Sequence, residues 1–138
     1  MKVVLDTNVI LDVLANREPF VDDSEAVMMA STDAHYESAI TANTVTDIAY
    51  ILHKHLDKAS LKAALLGLLE LVSIIEVNHA NCVGAFELQM NDCEDALLAH
   101  CAKSWGADYI VTRNKNDFAA SPIAALTPSE FLSLIHER

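Results

Sequence analysis

Short apolar runs alternate with stretches of helical period along the chain. Residues 2–5 are an apolar run, and residues 7–16 carry Val9, Ile10, Val13 and Leu14 at helical spacing, which predicts a strand and then a helix. Asp22 or Asp23 is placed to cap a second helix through about residue 32, with Ala26, Met29 and Ala30 inward. Residues 36–41 read as a strand, and a helix from about Asn43 follows with Ile48, Ile51, Leu52 and His55 on one stripe. Residues 59–72 form another helix, and the β-branched run 73–77 reads as a buried strand. Helices over 80–90 and 93–105 precede Gly106, a natural helix stop. A strand over 108–112, a polar loop and a weak strand over 123–126 come next. The last helix opens near Pro128 and carries Phe131, Leu132 and Ile135 on its apolar face. This alternation predicts an α/β fold, a three-layer α/β/α sandwich around a four- to five-stranded parallel sheet, formed as a single domain over residues 1–138.

Composition narrows the class. The chain has 138 residues, 52% apolar and 21% charged, with three Gly and three Pro, which suits a packed globule and excludes a disordered or collagenous chain. Its most apolar stretch, 59–72, is interrupted by Lys62 and Glu70 and falls short of the ~20 residues a membrane span needs. Asp6 and Asp12 break the first apolar run where a secretory leader tolerates neither, so a cytoplasmic location is expected. Cys82, Cys93 and Cys101 show no C-x-x-C spacing and read as reduced, partly buried thiols. The helix over 59–72 spreads Leu61, Leu65, Leu66, Leu68, Leu69 and Leu71 beyond one stripe. It needs cover on two sides, from neighbouring helices, a second copy in a homodimer, or a protein partner.

Twenty acids against nine bases give a net charge of −11, which repels phosphate at long range unless clustered acids hold divalent cations and reverse the local field. The acids are placed for that. Ligands of open parallel sheets gather beyond the carboxyl ends of the strands, where Asp6 follows the first strand and Asn114 and Asp117 follow the fourth. Asp95 falls on the inward helical face with Leu98, Ala99 and Ala102, and Asp92 shares that side, whereas Glu94 lies about 100° away and reads as solvated. Asp47, four residues before Ile51, sits at the edge of another inward face. Carboxylates drawn together from Asp6, Asp47, Asp95 and Asp117 need a cation, and oxygen-only ligands select Mg2+ or Mn2+ over zinc. His100 is about 140° round the helix from Asp95 and points elsewhere.

Three segments then carry a resemblance. Val4-Leu5-Asp6-Thr7-Asn8-Val9-Ile10-Leu11, Asp92-Cys93-Glu94-Asp95-Ala96-Leu97-Leu98-Ala99 and Ala107-Asp108-Tyr109-Ile110-Val111-Thr112-Arg113-Asn114-Lys115-Asn116-Asp117-Phe118 resemble a PIN domain, in the family's order and over essentially the whole chain. The resemblance implies a metal-dependent ribonuclease of the VapC-like toxin type, held inactive by an antitoxin, whose cleavage leaves a 5′-phosphate and a 3′-hydroxyl. Carried over by position, Asp6 is the first metal ligand, Asp95 the acid opening the penultimate helix and Asp117 the last ligand. Asp47 stands where relatives use Glu, one methylene shorter, and Asn114 where many have Asp, which removes a charge from a second metal position. Thr7 and Asn8 are expected to hold Asp6, and Thr112 to orient the carboxylates. Arg17, Arg113 and Lys115 are the expected phosphate contacts.

Other readings compete. Asp6 serves equally as a helix cap, and Asp95 as a first-turn acid favoured by the helix dipole. The lysines Lys54, Lys58 and Lys62 read as a solvated face, and His53 and His55 as surface residues. An aspartate-nucleophile phosphatase also needs an Asp after the first strand, but Asn8 occupies the place of its acid–base Asp. The alternative from another class is a PIN-like module that binds RNA or protein without cutting.

Overall fold

The computed structural model describes residues 1–32 and 36–137. Five strands, β1 (Lys2–Leu5), β2 (Glu37–Thr41), β3 (Ser73–Ile75), β4 (Tyr109–Val111) and β5 (Ala125–Leu126), form one sheet in the order β3-β2-β1-β4-β5. Every pairing is parallel. The helices are α1 (Thr7–Leu14), α2 (Val21–Ala30), α3 (Ala42–Leu52), α4 (Lys58–Leu71), α5 (His79–Glu87), α6 (Cys93–Trp105) and α7 (Pro128–His136), and Lys115–Phe118 makes one 3-10 turn. None of these helices is long and apolar enough to cross a membrane.

Period-two alternation in the central strands divides the core into two layers. Val3, Leu5, Ile40 and Val111 face a cluster with Val9 and Ile10 of α1, Val27 of α2, Ile48 and Leu52 of α3, Leu68 of α4 and Phe131 of α7. Val4, Ala39, Ile75 and Ile110 face the other side, against Leu98, Ala99, Cys101 and Ala102 of α6. The α/β/α arrangement therefore follows from strands that are apolar on both faces.

Three local expectations are corrected. The N-cap of α2 is Phe20, not Asp22 or Asp23, and the buried face is Val21, Ser24, Val27 and Met28, leaving Met29 exposed. The buried face carries two valines and a methionine, more apolar than the expected Ala26, Met29 and Ala30, and it includes Ser24, whose hydroxyl donates to buried Asp12 at 3.2 Å. Residues 73–77 do not make a buried strand, since β3 is three residues long at the sheet edge with Ser73 and Ile74 exposed. His55 lies beyond the end of α3 and so off its inward stripe, exposed as a surface residue is expected to be, and Cys82 and Cys93 are exposed while Cys101 is buried.

α5 and α6 sit against each other through a polar seam. Buried Asn81 caps the start of α5 with Asn78 and donates to His100 Nδ1 at 3.1 Å and Ser104 Oγ at 3.0 Å. Gly84 permits the approach, because a Cβ there would fall 2.0 Å from His100 Nε2. That contact is where His100 points, away from the acidic residues.

Candidate metal centre

The strand order reverses beside β1, where β2 and β3 extend to one side and β4 and β5 to the other. Such a switch point leaves a crevice beyond the strand ends. Leu5 pairs with Val111, so Asp6 and Thr112 emerge side by side at this crevice, and the Asp6 amide donates to the Val111 carbonyl at 3.0 Å.

Asp6 is the N-cap of α1 and is held by three donors. Its Oδ1 accepts from the Thr7 amide at 2.8 Å, and its Oδ2 accepts from the Thr112 hydroxyl at 2.8 Å and from Asn8 Nδ2 at 3.3 Å. Burial raises its pKa, the bonds from Thr112 and Thr7 lower it in part, and the charges of Asp117 and Asp92 raise it again. The net direction is upward. Thr7 also reaches Thr44 at 3.5 Å, and Thr44 bonds Thr41 at 2.9 Å, tying α1 to the start of α3.

A cleft of about 370 Å³ opens here, lined by Asp6, Asp47, Glu94 and Asp95 together with Asn43, Thr44, Tyr50 and Leu98. A second, of about 270 Å³, lies on the other side of Asp95 and is lined by Asp92, Asp95, Asn116 and Asp117. Asp95 is common to both. Burial is the first cause of its raised pKa, and the charges of Asp6, Asp92, Asp117 and Glu94 add to it, pushing it up to about 7. The Glu94 pKa is raised as well, by desolvation and then by Asp47, Asp92 and Asp6. These acids feel one another with no counter-charge among them, so the fold brings Asp6, Asp47, Asp95, Asp92 and Asp117 to one double cleft.

Asp92 has a second use, because its Oδ1 caps α6 by accepting from the Asp95 amide at 3.0 Å. Asn114 lines neither cleft; its amide donates to the Thr112 hydroxyl at 3.0 Å, which completes the brace behind Asp6. Glu94 belongs to the site although its helical phase points to solvent. Side chains in the first turn of a helix lean back over its N-terminus, so they reach a cleft lying off the helix end whatever their angular position. Asn43 and Thr44 were also not foreseen; the signal was the polar run Thr41-Ala42-Asn43-Thr44 directly at a strand's carboxyl end.

The phosphate contacts expected of Arg17, Arg113 and Lys115 are corrected. None of the three lines either acidic cleft. Arg113 Nε is 2.7 Å from Asp12 Oδ2, a carboxylate with 0% exposure, and its guanidinium lies 4.0 Å over the Phe20 ring. Lys115 Nζ pairs with Glu130 at 2.9 Å. Arg113 and Lys115 are thus each paired with an acid, and Arg113 braces the loop after β4 against α1.

A hard divalent cation suits the donors in this double cleft. Among the described residues they are carboxylates, amides and hydroxyls with no imidazole or thiolate, and Asn43 Oδ1 is buried without a hydrogen-bond partner. Among the described residues, no three His, Cys, Asp or Glu side chains are gathered closely enough to form a finished cage.

Residues 2–116 match the PIN domain model, and the chain belongs to that family. Among solved structures it is similar to VapBC2 from Rickettsia felis, which was bound to a DNA fragment from its promoter (TM-score 0.71, 18% identity, covering 92% of this chain and 98% of that one). FitAcB from Neisseria gonorrhoeae gives 0.70 and 19%, with 92% and 98% covered. PAE2754 from Pyrobaculum aerophilum gives 0.67 and 18% over 100% of both chains. At these identities the likeness establishes the fold. No curated protein sequence matches the chain.

Proposed function

We propose that this protein is a Mg2+- or Mn2+-dependent endoribonuclease and the toxin of a toxin–antitoxin pair. The observation that carries the reading is the convergence of Asp6, Asp47, Glu94 and Asp95 on one cleft at the switch point, with Asp117 and Asp92 immediately beyond Asp95. Asp6, Asp47, Asp95 and Asp117 are the residues proposed to hold the ion, with Asn43 and Glu94 in reach of the same space. Bound there, the ion supplies Lewis acidity and neutralises charge at a phosphodiester. The chain's own groups do the rest. Thr7, Asn8 and Thr112 fix the direction of the Asp6 oxygens, which preserves donor geometry as a phosphate arrives. Asp95, its pKa pushed up to about 7, is partly protonated near neutral pH, and a cation bound beside it would favour the ionised form. The antitoxin reading rests on the likeness to a toxin–antitoxin complex from Klebsiella pneumoniae (TM-score 0.70, 20% identity, covering 91% of this chain and 97% of that one).

A non-catalytic module that binds RNA or protein is favoured by one observation, the lack of a finished three-residue cage among the described residues. Incubation of the purified protein with end-labelled single-stranded RNA separates the two. Cleavage that depends on Mg2+ or Mn2+ and falls by about 10²-fold or more in Asp6→Asn, with an unchanged circular dichroism spectrum, supports the nuclease. No cleavage at millimolar metal supports the binding module.

A further inference from the structure

Resting on the metal-dependent reading, we infer that the ion pair between Arg113 and Asp12 is a positioning device for the metal centre. It sets the register of the loop after β4 on α1, and with it the place where Asp117 meets Asp6. Arg113 follows Thr112 at the crevice, yet it lines neither acidic cleft. It is held instead at two points one helical turn apart. Its amide donates to Asn8 Oδ1 at 3.3 Å, and its Nε donates to Asp12 Oδ2 at 2.7 Å. Residues four apart share a face of a helix, so the backbone and side chain of Arg113 run along one face of α1. Asn8 also donates to Asp6 Oδ2, so the first of these points reaches the metal centre itself.

The rest of the loop follows from that anchor. The Asn114 amide donates to the Thr112 hydroxyl at 3.0 Å, the Asp117 amide donates to the Asn114 carbonyl at 2.9 Å, and Phe118 is buried beyond them. Asp117 thus sits in a short turn fixed at both ends, by Arg113 before it and Phe118 after it. The other side of the brace is tied to α2, because the guanidinium lies over the Phe20 ring at the start of that helix and Ser24 donates to the same Asp12 oxygen. Asp12 Oδ1, buried as well, has no hydrogen-bond partner among the described residues. A buried ion pair stabilises a fold poorly, since apolar residues of similar volume do as well or better, and a half-satisfied pair is poorer still. What this pair contributes is placement.

Calorimetric titration of Mn2+ into the full chain, beside thermal denaturation of the metal-free protein, separates placement from stability. The double variant Asp12→Leu with Arg113→Met removes both charges, so its net charge is that of the native chain and its core holds no unpaired ion. The expected result is a melting temperature close to the native one with Mn2+ affinity about tenfold weaker, the size of effect exerted by groups that orient ligands. Native Mn2+ affinity in the folded double variant overturns the inference, since the pair is then only structural. Arg113→Gln gives an independent reading should the double variant not fold. Loss of a positive charge by itself favours binding of a cation. Weaker Mn2+ binding in folded Arg113→Gln therefore supports the brace, and equal or tighter binding overturns it. Failure of the metal reading looks different: the native chain itself then gives no heat with millimolar Mn2+, and the inference falls with it.

Discussion

Asp95 is one of three acids in the cleft, with Asp6 and Glu94, whose raised pKa links stability to pH. Its pKa is about 7 in the fold against 3.8 for an ordinary aspartate. The folded form therefore keeps a proton that the unfolded chain releases; this contribution to stability is complete below pH 3.8 and is lost as pH rises through about 7. Thermal denaturation of metal-free protein should give equal melting temperatures for the native chain and Asp95→Asn near pH 4. A gap of a few degrees in favour of Asp95→Asn should open by pH 8. Excess Mg2+ should close or reverse that gap, because the ion replaces the proton. Asp12 and Arg113 give a second prediction. Arg113→Met leaves a fully buried carboxylate without its cation and should cost about 3 kcal/mol in urea unfolding, at the lower end because Arg113 is itself partly exposed. Asp6 and Asp95 were legible from the sequence as acids after a strand and on an apolar helical face. The buried Asp12 was not recognised, although it lies three residues after Val9 on the same inward face, and the error passed to Arg113, whose partner it is.

At the level of elements, terminal chemistry was the most readable feature. Gly106 ends α6 with φ of 82°, and Pro128 opens α7 after the cap Thr127, both as their residue types require. Hydrophobic period was weakest in α2, where Val21, Val27 and Met28 are buried with the polar Ser24 between them, and where neighbours are lacking, as for edge strand β3. The α5–α6 seam had no sequence signal, because the value of Gly84 depends on a histidine from another helix. Gly84→Ala should displace His100 and cost about 1–3 kcal/mol in denaturant unfolding, despite alanine's higher helix propensity. The variant His100→Ala, which removes the clashing ring, should make a second substitution at Gly84 nearly free of cost.

For the whole molecule, an acidic surface and a phosphate substrate are compatible only if the excess negative charge is concentrated and offset where the substrate lands. The net charge of −11 read alone argues against nucleic acid. The topology changes that conclusion by bringing acids from β1, α3, α6 and the loop after β4 to one sheet edge. Strand order was the step hidden from sequence, since alternating elements predict a parallel sheet but not which strands become neighbours. Calorimetric titration of Mn2+ into the native chain and Asp6→Asn near pH 8 tests the convergence most directly. Binding at millimolar or tighter affinity, weakened about tenfold or more by Asp6→Asn, is the predicted result. No heat at millimolar Mn2+, or equal affinity in the two proteins, would contradict it.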